Sequence, residues 1–317
     1  MCPERSSKCE SMKPFVKWAG GKTQLLDEIR NKYPKGLGKK INRYCEPFVG
    51  GGAVLFDVIS SHSFNDVLIN DINPDLINAY VQIRDNIDSM TSTLSEFRTD
   101  YNNLSQIDKE TYFYEKRKRF NELRKEREES TDAERASLFI FLNKTCFNGL
   151  YRVNRAGEFN VPFGRHKKIS IYDEANLFNI SKSLQNVNIV CGDYKGCEEF
   201  IRENTFVYID PPYRPLSNTA NFTSYAADGF TDKDQIELGE FIKRIDSKGA
   251  KIVLSNSDPK NSDKNDNFFD DLYAKFTIDR VNAKRMINSN GNDRGHINEI
   301  IVANYSFSIS TRQRKIL

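Results

Sequence analysis

Seven short apolar runs punctuate the chain: RYCEPFVGGG, DVLINDINP, NVNIVCGDY, TFVYIDPPY, AKIVLSNS, AKFTIDRV and EIIVANYSF. Their length and bounding turn residues predict buried strands, and the first five finish on small or acidic residues, as parallel strands do when ligands sit at their carboxyl ends. Between them, TQLLDEIRNKY, GAVLFDVISS and DKDQIELGEFIKRIDSKG carry apolar residues at helical spacing, the last with Thr231 and Asp232 at its start and Gly249 at its stop. Such alternation predicts an α/β doubly wound sheet. It breaks between about residues 82 and 185, where helical pattern and polar loops replace strand–helix pairs. The expected organisation is one discontinuous unit from 13–81 and 186–307, an inserted, mainly helical subdomain at 82–185, and flexible ends at 1–12 and 308–317. No fixed-period repeat or long Pro- or Ser-rich linker alters this picture.

Composition narrows the class. Of 317 residues, 29% are charged and 38% hydrophobic, and no run approaches the roughly 18 apolar residues of a membrane span. The opening MCPERSSKCESM has charges where a signal peptide needs apolar residues, so a soluble, cytoplasmic protein is expected. Cys2, Cys9, Cys45, Cys146, Cys191 and Cys197 form no CxxC pair, and His62, His166 and His296 lie far apart, so no metal is expected. A net charge of +3 decides nothing, but its distribution does. Between residues 144 and 168, Lys144, Arg152, Arg155, Arg165, Lys167 and Lys168 stand against the single acid Glu158, interleaved with Phe147, Tyr151, Phe159 and Phe163. That mixture suits phosphate neutralisation with stacking. The run 112–135 is as charged, but its acids and bases alternate at helical spacing and predict a solvated helix face.

Three motifs carry candidate chemistry. Gly50, Gly51 and Gly52 lie between a strand and a helix, where a Cβ would obstruct a close ligand, and Asp71 ends the next strand about 20 residues on, where a carboxylate takes ribose hydroxyls. Together they point to a nucleoside ligand. KWAGGK ends like a phosphate loop, but the required first glycine is Val16, which argues against an NTPase. Trp18 is then either a core aromatic or, with Lys22, a ligand contact. DPPY sets Asp210 at a strand end, where Pro211 and Pro212 stiffen the backbone and deny further pairing. A strand terminator accounts for the prolines alone. An amine-methylating site accounts for all four residues. A carboxylate and a rigid carbonyl can accept both hydrogens of a nucleobase amine and so free its lone pair, while Tyr213 stacks on a base turned out of the duplex.

On the ordered blocks KWAGGK, EPFVGGGAVLF, NDINPDLINAY, FNGLYRVNRAGEFNVPFGRHKK, YIDPPY, FTSYAADGFTDKDQ, LSNS and RGHINEIIVANY, spanning 13–305, the chain strongly resembles the Dam family of DNA adenine-N6 methyltransferases. The resemblance implies a class I, Rossmann-like, mostly parallel seven-stranded sheet with a target-recognition insertion. It implies S-adenosylmethionine as methyl donor, S-adenosylhomocysteine as product, and a monomer acting on double-stranded DNA, with the methyl going to adenine N6 in GATC by base flipping and in-line attack. Trp18, Lys22, Phe48, Asp71 and Asp210 would contact the donor, with Gly50 and Gly52 beneath it and Asp193 at its adenine. Asp210, Pro211, Pro212 and Tyr213 would be catalytic. Lys17 and Arg152 would read bases and Phe147 would wedge into the duplex, with Asn148, Leu150, Asn160, Pro162, Arg165, His166 and Lys168 at the DNA. Arg155, Arg165, Lys167 and Lys168 are expected on phosphates, and Tyr225, in a capping FTSYAADGF segment, over the target base. Two rivals remain: cytosine-N4 methylation, which needs the same pocket, and a DNA-binding relative without catalysis.

Overall fold

A computed structural model describes residues 12–126, 128–166, 168–214, 230–284 and 296–307. All seven expected strands form: β1 (Arg43–Glu46), β2 (Asp66–Asp71), β3 (Val187–Cys191), β4 (Thr205–Ile209), β5 (Lys251–Ser257), β6 (Thr277–Lys284) and β7 (His296–Ala303). They make one sheet in the order β3-β2-β1-β4-β5-β7-β6. The first five positions are parallel, and β7 runs antiparallel to both β5 and β6. From β1 the chain steps outward through β2 and β3, then returns to add β4 on the other side. That reversal opens a crevice at the carboxyl ends of β1 and β4.

Successive side chains of a strand point to opposite faces, and both faces here are apolar, as a parallel sheet requires. Phe206 and Tyr208 of β4 enter one core, with Tyr44 and Ile69. Val207 and Ile209 enter the other, against Leu238, Phe241, Ile242 and Ile245 of helix α8 (Asp232–Ser247). A capping box of Thr231 and Asp234 starts this helix, and Gly249, with φ +85°, follows it. Preceding α8 are α1 (Leu26–Arg30), α2 (Ala53–Ser61), α3 (Pro74–Asp85), α4 (Ile87–Asn103), α5 (Gln106–Glu126), α6 (Asp132–Thr145) and α7 (Glu174–Leu184); α9 (Phe268–Leu272) comes after it.

The first core continues from the sheet into the helical stretch 82–185. Every residue from Ala136 to Asn143 is buried, so α6 is enclosed by its neighbours. The charged helix α5 buries only the stripe Phe113, Phe120 and Leu123. Its expected solvated face needs correction. Arg117 donates to the Val161 carbonyl (3.2 Å), Asn121 bonds the backbone of Phe159 in both directions (2.8 and 3.1 Å), and Lys125 pairs with Glu158 (2.7 Å). These polar side chains hold the segment that carries Arg152, and periodicity alone could not distinguish that use from solvation.

Candidate active site

The glycine turn is shaped by what surrounds it. Gly50 and Gly52 have φ of +49° and +77°, in the left-handed region that favours glycine. A Cβ on Gly50 would fall 2.9 Å from the Trp18 ring, and one on Gly52 2.4 Å from the Tyr80 hydroxyl and 2.8 Å from Phe56. Tyr80 also donates to the Gly50 carbonyl (3.0 Å), and the Asp71 carboxylate accepts from the amides of Gly50 (3.0 Å) and Asn73 (2.9 Å). Burial pushes the Asp71 carboxyl up, and those amides pull it back. Gly52→Ala is expected to cost about 2 to 3 kcal/mol from backbone strain and overpacking. Thermal unfolding checks this; an unchanged midpoint would mean that Tyr80 and Phe56 yield freely.

Around the turn, the buried amide of Asn70 donates to the carbonyls of Pro47 and Gly192 (both 2.9 Å), tying the loops after β1 and β3 together. Phe48 stacks near Tyr194 with centroids 5.2 Å apart, and the exposed Asp193 caps the turn Tyr194–Glu199 by accepting from the Lys195 amide (2.8 Å). Sequence reasoning missed Ile72, which is 72% exposed directly after Asp71, and the exposed Val190 on the neighbouring strand, opposite Asn70. An exposed isoleucine at a strand end was the available signal.

Asp210 follows the wholly buried β4 and is itself 19% exposed. Its Oδ2 pairs with Lys22 Nζ at 2.8 Å and its Oδ1 accepts from Ser255 Oγ at 3.0 Å, with the Tyr208 hydroxyl 2.9 Å from that oxygen. Burial pushes the Asp210 carboxyl upward, while the Lys22 charge and the hydroxyl of Ser255 hold it back toward the ionised form. Lys22 is only 4% exposed; its ammonium also donates to the Gly20 carbonyl (2.6 Å) and stands 4.6 Å above the centre of the Tyr213 ring. Buried Gln235 donates to the Pro212 carbonyl (3.1 Å). The motif ends at Arg214, which grips Asp232 (2.6 and 2.9 Å) and Asp266 (2.5 Å). Lys22, Asp210 and Tyr213 therefore meet at the crevice, and Asp71 ends β2 along the same carboxyl edge of the sheet.

Trp18 packs against the core cluster. It is half-buried, packed between the bare Gly50 and the rings of Tyr151 (5.7 Å) and Phe139 (6.2 Å). Its neighbour Lys17 is exposed and held from behind. Asn143 accepts from the Lys17 amide (2.8 Å) and donates to the carbonyls of Lys17 (2.9 Å) and Gly149 (3.0 Å). Gly149 has φ +66°, and a Cβ there would strike the Lys17 side chain at 2.5 Å.

The basic aromatic stretch forms a short ribbon in which Val153 pairs with Phe159 and Cys146 with Phe163. Tyr151, Phe159, Val161 and Phe163 point inward; Arg152 and Pro162 point out, with Asn160 half-buried beside them. Arg152 Nε donates to Asn160 Oδ1 (2.8 Å), fixing the guanidinium on the exposed side. Phe147 is 51% exposed, Asn148 follows it with φ +56°, and Leu150 tucks against the core. Arg165, 75% exposed, lies 3.5 Å from Glu110, and His166 contacts the Cys146 carbonyl (3.0 Å), while Arg155 and Lys168 are exposed. Lys167 and Tyr225 lie outside the described residues.

Ribbon and crevice share a buried anchor that sequence reasoning also missed. Asp75, at the start of α3 and 2% exposed, pairs with Arg124 of α5 (2.7 Å) and accepts from the Tyr151 hydroxyl (2.5 Å), with Arg135 of α6 at 3.9 Å. Its place in NDINPD, just past Asp71, was the only hint. Among the described residues no group of His, Cys, Asp and Glu could hold a metal ion, and no helix is long and apolar enough to cross a membrane.

A sequence model of the family described as D12 class N6 adenine-specific DNA methyltransferase matches residues 18–287. The chain is 47% identical over 296 residues to the Type II methyltransferase M.MjaIII of Methanocaldococcus jannaschii, covering 93% of this chain and 99% of that protein. It is 37% identical over 297 residues to the Type II methyltransferase M1.LlaDCHI of Lactococcus lactis subsp. cremoris (93% and 96% covered). To the DNA adenine methylase of Escherichia coli (strain K12) it is 34% identical over 288 residues (90% and 93% covered). Those matched lengths take in the glycine turn, the ribbon and the Asp210 cluster alike, and the chain belongs to the D12 class N6 adenine-specific DNA methyltransferase family.

Proposed function

We propose that the protein methylates adenine N6 in duplex DNA, within GATC, on a target base turned out of the helix, with S-adenosylmethionine as donor. The observation that carries this reading is the Asp210 side chain, paired with Lys22 and Ser255 at the mouth of the crevice, with the Tyr213 ring under the same lysine. The donor supplies an electrophilic methyl group on a sulfonium. The residues suit it: Trp18, Tyr80 and Phe56 pack closely on Gly50 and Gly52 and fix the turn assigned to lie beneath the donor, Asp71 keeps lone pairs beyond its two backbone bonds for ribose hydroxyls, and Ile72 and Val190 offer apolar surface to a base. Trp18, Phe48 and Asp193 line the same rim.

For the amine, each Asp210 oxygen keeps a lone pair outside its Lys22 or Ser255 bond. One hydrogen of the amine goes to Asp210 and the other to the Pro211 carbonyl, turning the nitrogen lone pair away from the ring. As the nitrogen becomes cationic, the carboxylate stabilises the charge, and the proton leaves afterwards. Asp210 thus orients and neutralises, and a strong base is unnecessary. Tyr213 stacks on the base, with the prolines keeping motif and base in register. The segment 82–185, together with Lys17 from the start of the chain, is assigned the duplex: Phe147 as wedge, Lys17 and Arg152 as base readers with Asn148, Leu150, Asn160, Pro162 and His166 around them, and Arg155, Arg165 and Lys168 on phosphates.

Incubation with S-adenosylmethionine and a GATC duplex, followed by nucleoside mass spectrometry, should give N6-methyladenine, and a scrambled duplex should give little. N4-methylcytosine would replace this reading with its rival, and no methylated nucleoside would leave only a binding protein. Arg152→Ala is expected to relax discrimination at one guanine by about 1 to 3 kcal/mol, since arginine reads that base edge through two hydrogen bonds. Competition binding with single-base variants checks it; equal weakening on cognate and scrambled duplexes would make Arg152 a phosphate contact.

A further inference from the structure

The antiparallel strand β7 brings a carboxylate to the crevice. Because β7 runs against β5, the beginning of β7 lies at the carboxyl edge of the parallel strands, and Glu299 stands opposite Ser257, the last residue of β5. From there its Oε2 accepts the hydrogen of the Tyr213 hydroxyl. The ring is then held at two points: its hydroxyl by Glu299 and one face by the Lys22 ammonium, 4.6 Å from its centre. A phenol free to turn about χ1 and χ2 would present its plane over a range of angles, and a stacked base needs one angle. Lys22 stands over one face, so a stacked base would take the other. The same cation pairs with Asp210, so the acceptor for the amine and the platform for the base are set relative to each other by one side chain.

We propose that Glu299 is a positioning residue for methyl transfer: by accepting the Tyr213 hydroxyl it fixes the plane on which the target base stacks beside Asp210. This rests on the reading of Asp210 and Tyr213 as the amine-methylating pair. Glu299 touches neither base nor donor, and acts through Tyr213.

Steady-state transfer of labelled methyl to a GATC duplex by the full-length protein tests it. Glu299→Ala should lower kcat by about tenfold or more, the loss expected for one charge-assisted hydrogen bond, with KM for the donor within about twofold of wild type. Glu299→Gln keeps an acceptor oxygen and should recover most of kcat. Tyr213→Phe removes only the hydroxyl and should match Glu299→Ala, and the double variant should lose no more than either alone. Wild-type kcat in Tyr213→Phe, multiplying losses in the double variant, or a loss confined to donor KM would each overturn the proposal. Should Glu299→Ala fail to fold, Tyr213→Phe and Glu299→Gln decide it unaided. Wild type and Asp210→Ala are run alongside. If wild type transfers no methyl, or Asp210→Ala transfers as well as wild type, the parent reading falls and this one with it. If both behave as expected while Tyr213→Phe is fully active, only the role of Glu299 is lost.

Discussion

Asp210→Ala is expected to lower the rate of methyl transfer by about 10² to 10³-fold, the usual effect of removing one charge-stabilising group from a preorganised site, while duplex binding persists. Among the described residues the carboxylate is the only anion paired with Lys22, and in the proposed reaction it faces the amine nitrogen that gains positive charge. Lys22 keeps the Gly20 carbonyl and the Tyr213 ring after the substitution, so the crevice retains much of its shape. The ribbon, held from α5 and α6, does not depend on Asp210. Single-turnover incorporation of labelled methyl, set beside fluorescence anisotropy on the same duplex, separates chemistry from binding. Asp210→Asn, which keeps the shape and removes the charge, should fall near alanine. Parallel loss of binding and transfer would make Asp210 a structural anchor for Lys22 instead.

The second large effect falls outside the crevice. Asp75→Ala is expected to destabilise the fold by about 3 to 5 kcal/mol, because deleting one member of a buried ion pair strands the other. Arg124 would lose its 2.7 Å partner in a mostly buried setting, and the Tyr151 hydroxyl its acceptor. Burial and the Asp75 charge already push the Tyr151 phenol upward, so it stays a donor. Since Tyr151 precedes Arg152 and packs on Trp18, the lesion should also blur base discrimination. Thermal unfolding with competition binding checks both parts. A melting point equal to wild type would show that water replaces Asp75 around Arg124.

Much of the fold was readable from the chain because its strands are short apolar runs with abrupt ends. TFVYI is buried from end to end, and the residues that follow, Asp210 to Tyr213, could be recognised as out of place in a strand. Gly50, Gly52 and Asp71 were equally plain, since a left-handed turn and a strand-end carboxylate leave local marks. The Thr231 start and Gly249 stop of α8 were legible for the same reason. What escaped depends on contacts between distant segments. Nothing near Lys22 in sequence announces Asp210, and nothing near Glu299 announces Tyr213; the sheet order brings each pair together. Asn143 is one polar residue after the apolar run LFIFL, and nothing beside it announces Lys17. Helix α5 looked solvated because alternating charge is the same pattern whether the partners are water or, as for Arg117 and Lys125, a ribbon from elsewhere.

Asn143 carries one more consequence. A single carboxamide bonds the backbone on both sides of Lys17 and at Gly149, so two stretches far apart in the chain are clipped to one point. In the proposed function Lys17 and the stretch from Phe147 to Arg152, tied by main chain to that one point, would meet the duplex at a fixed spacing, a gauge for the length of a site as well as its letters.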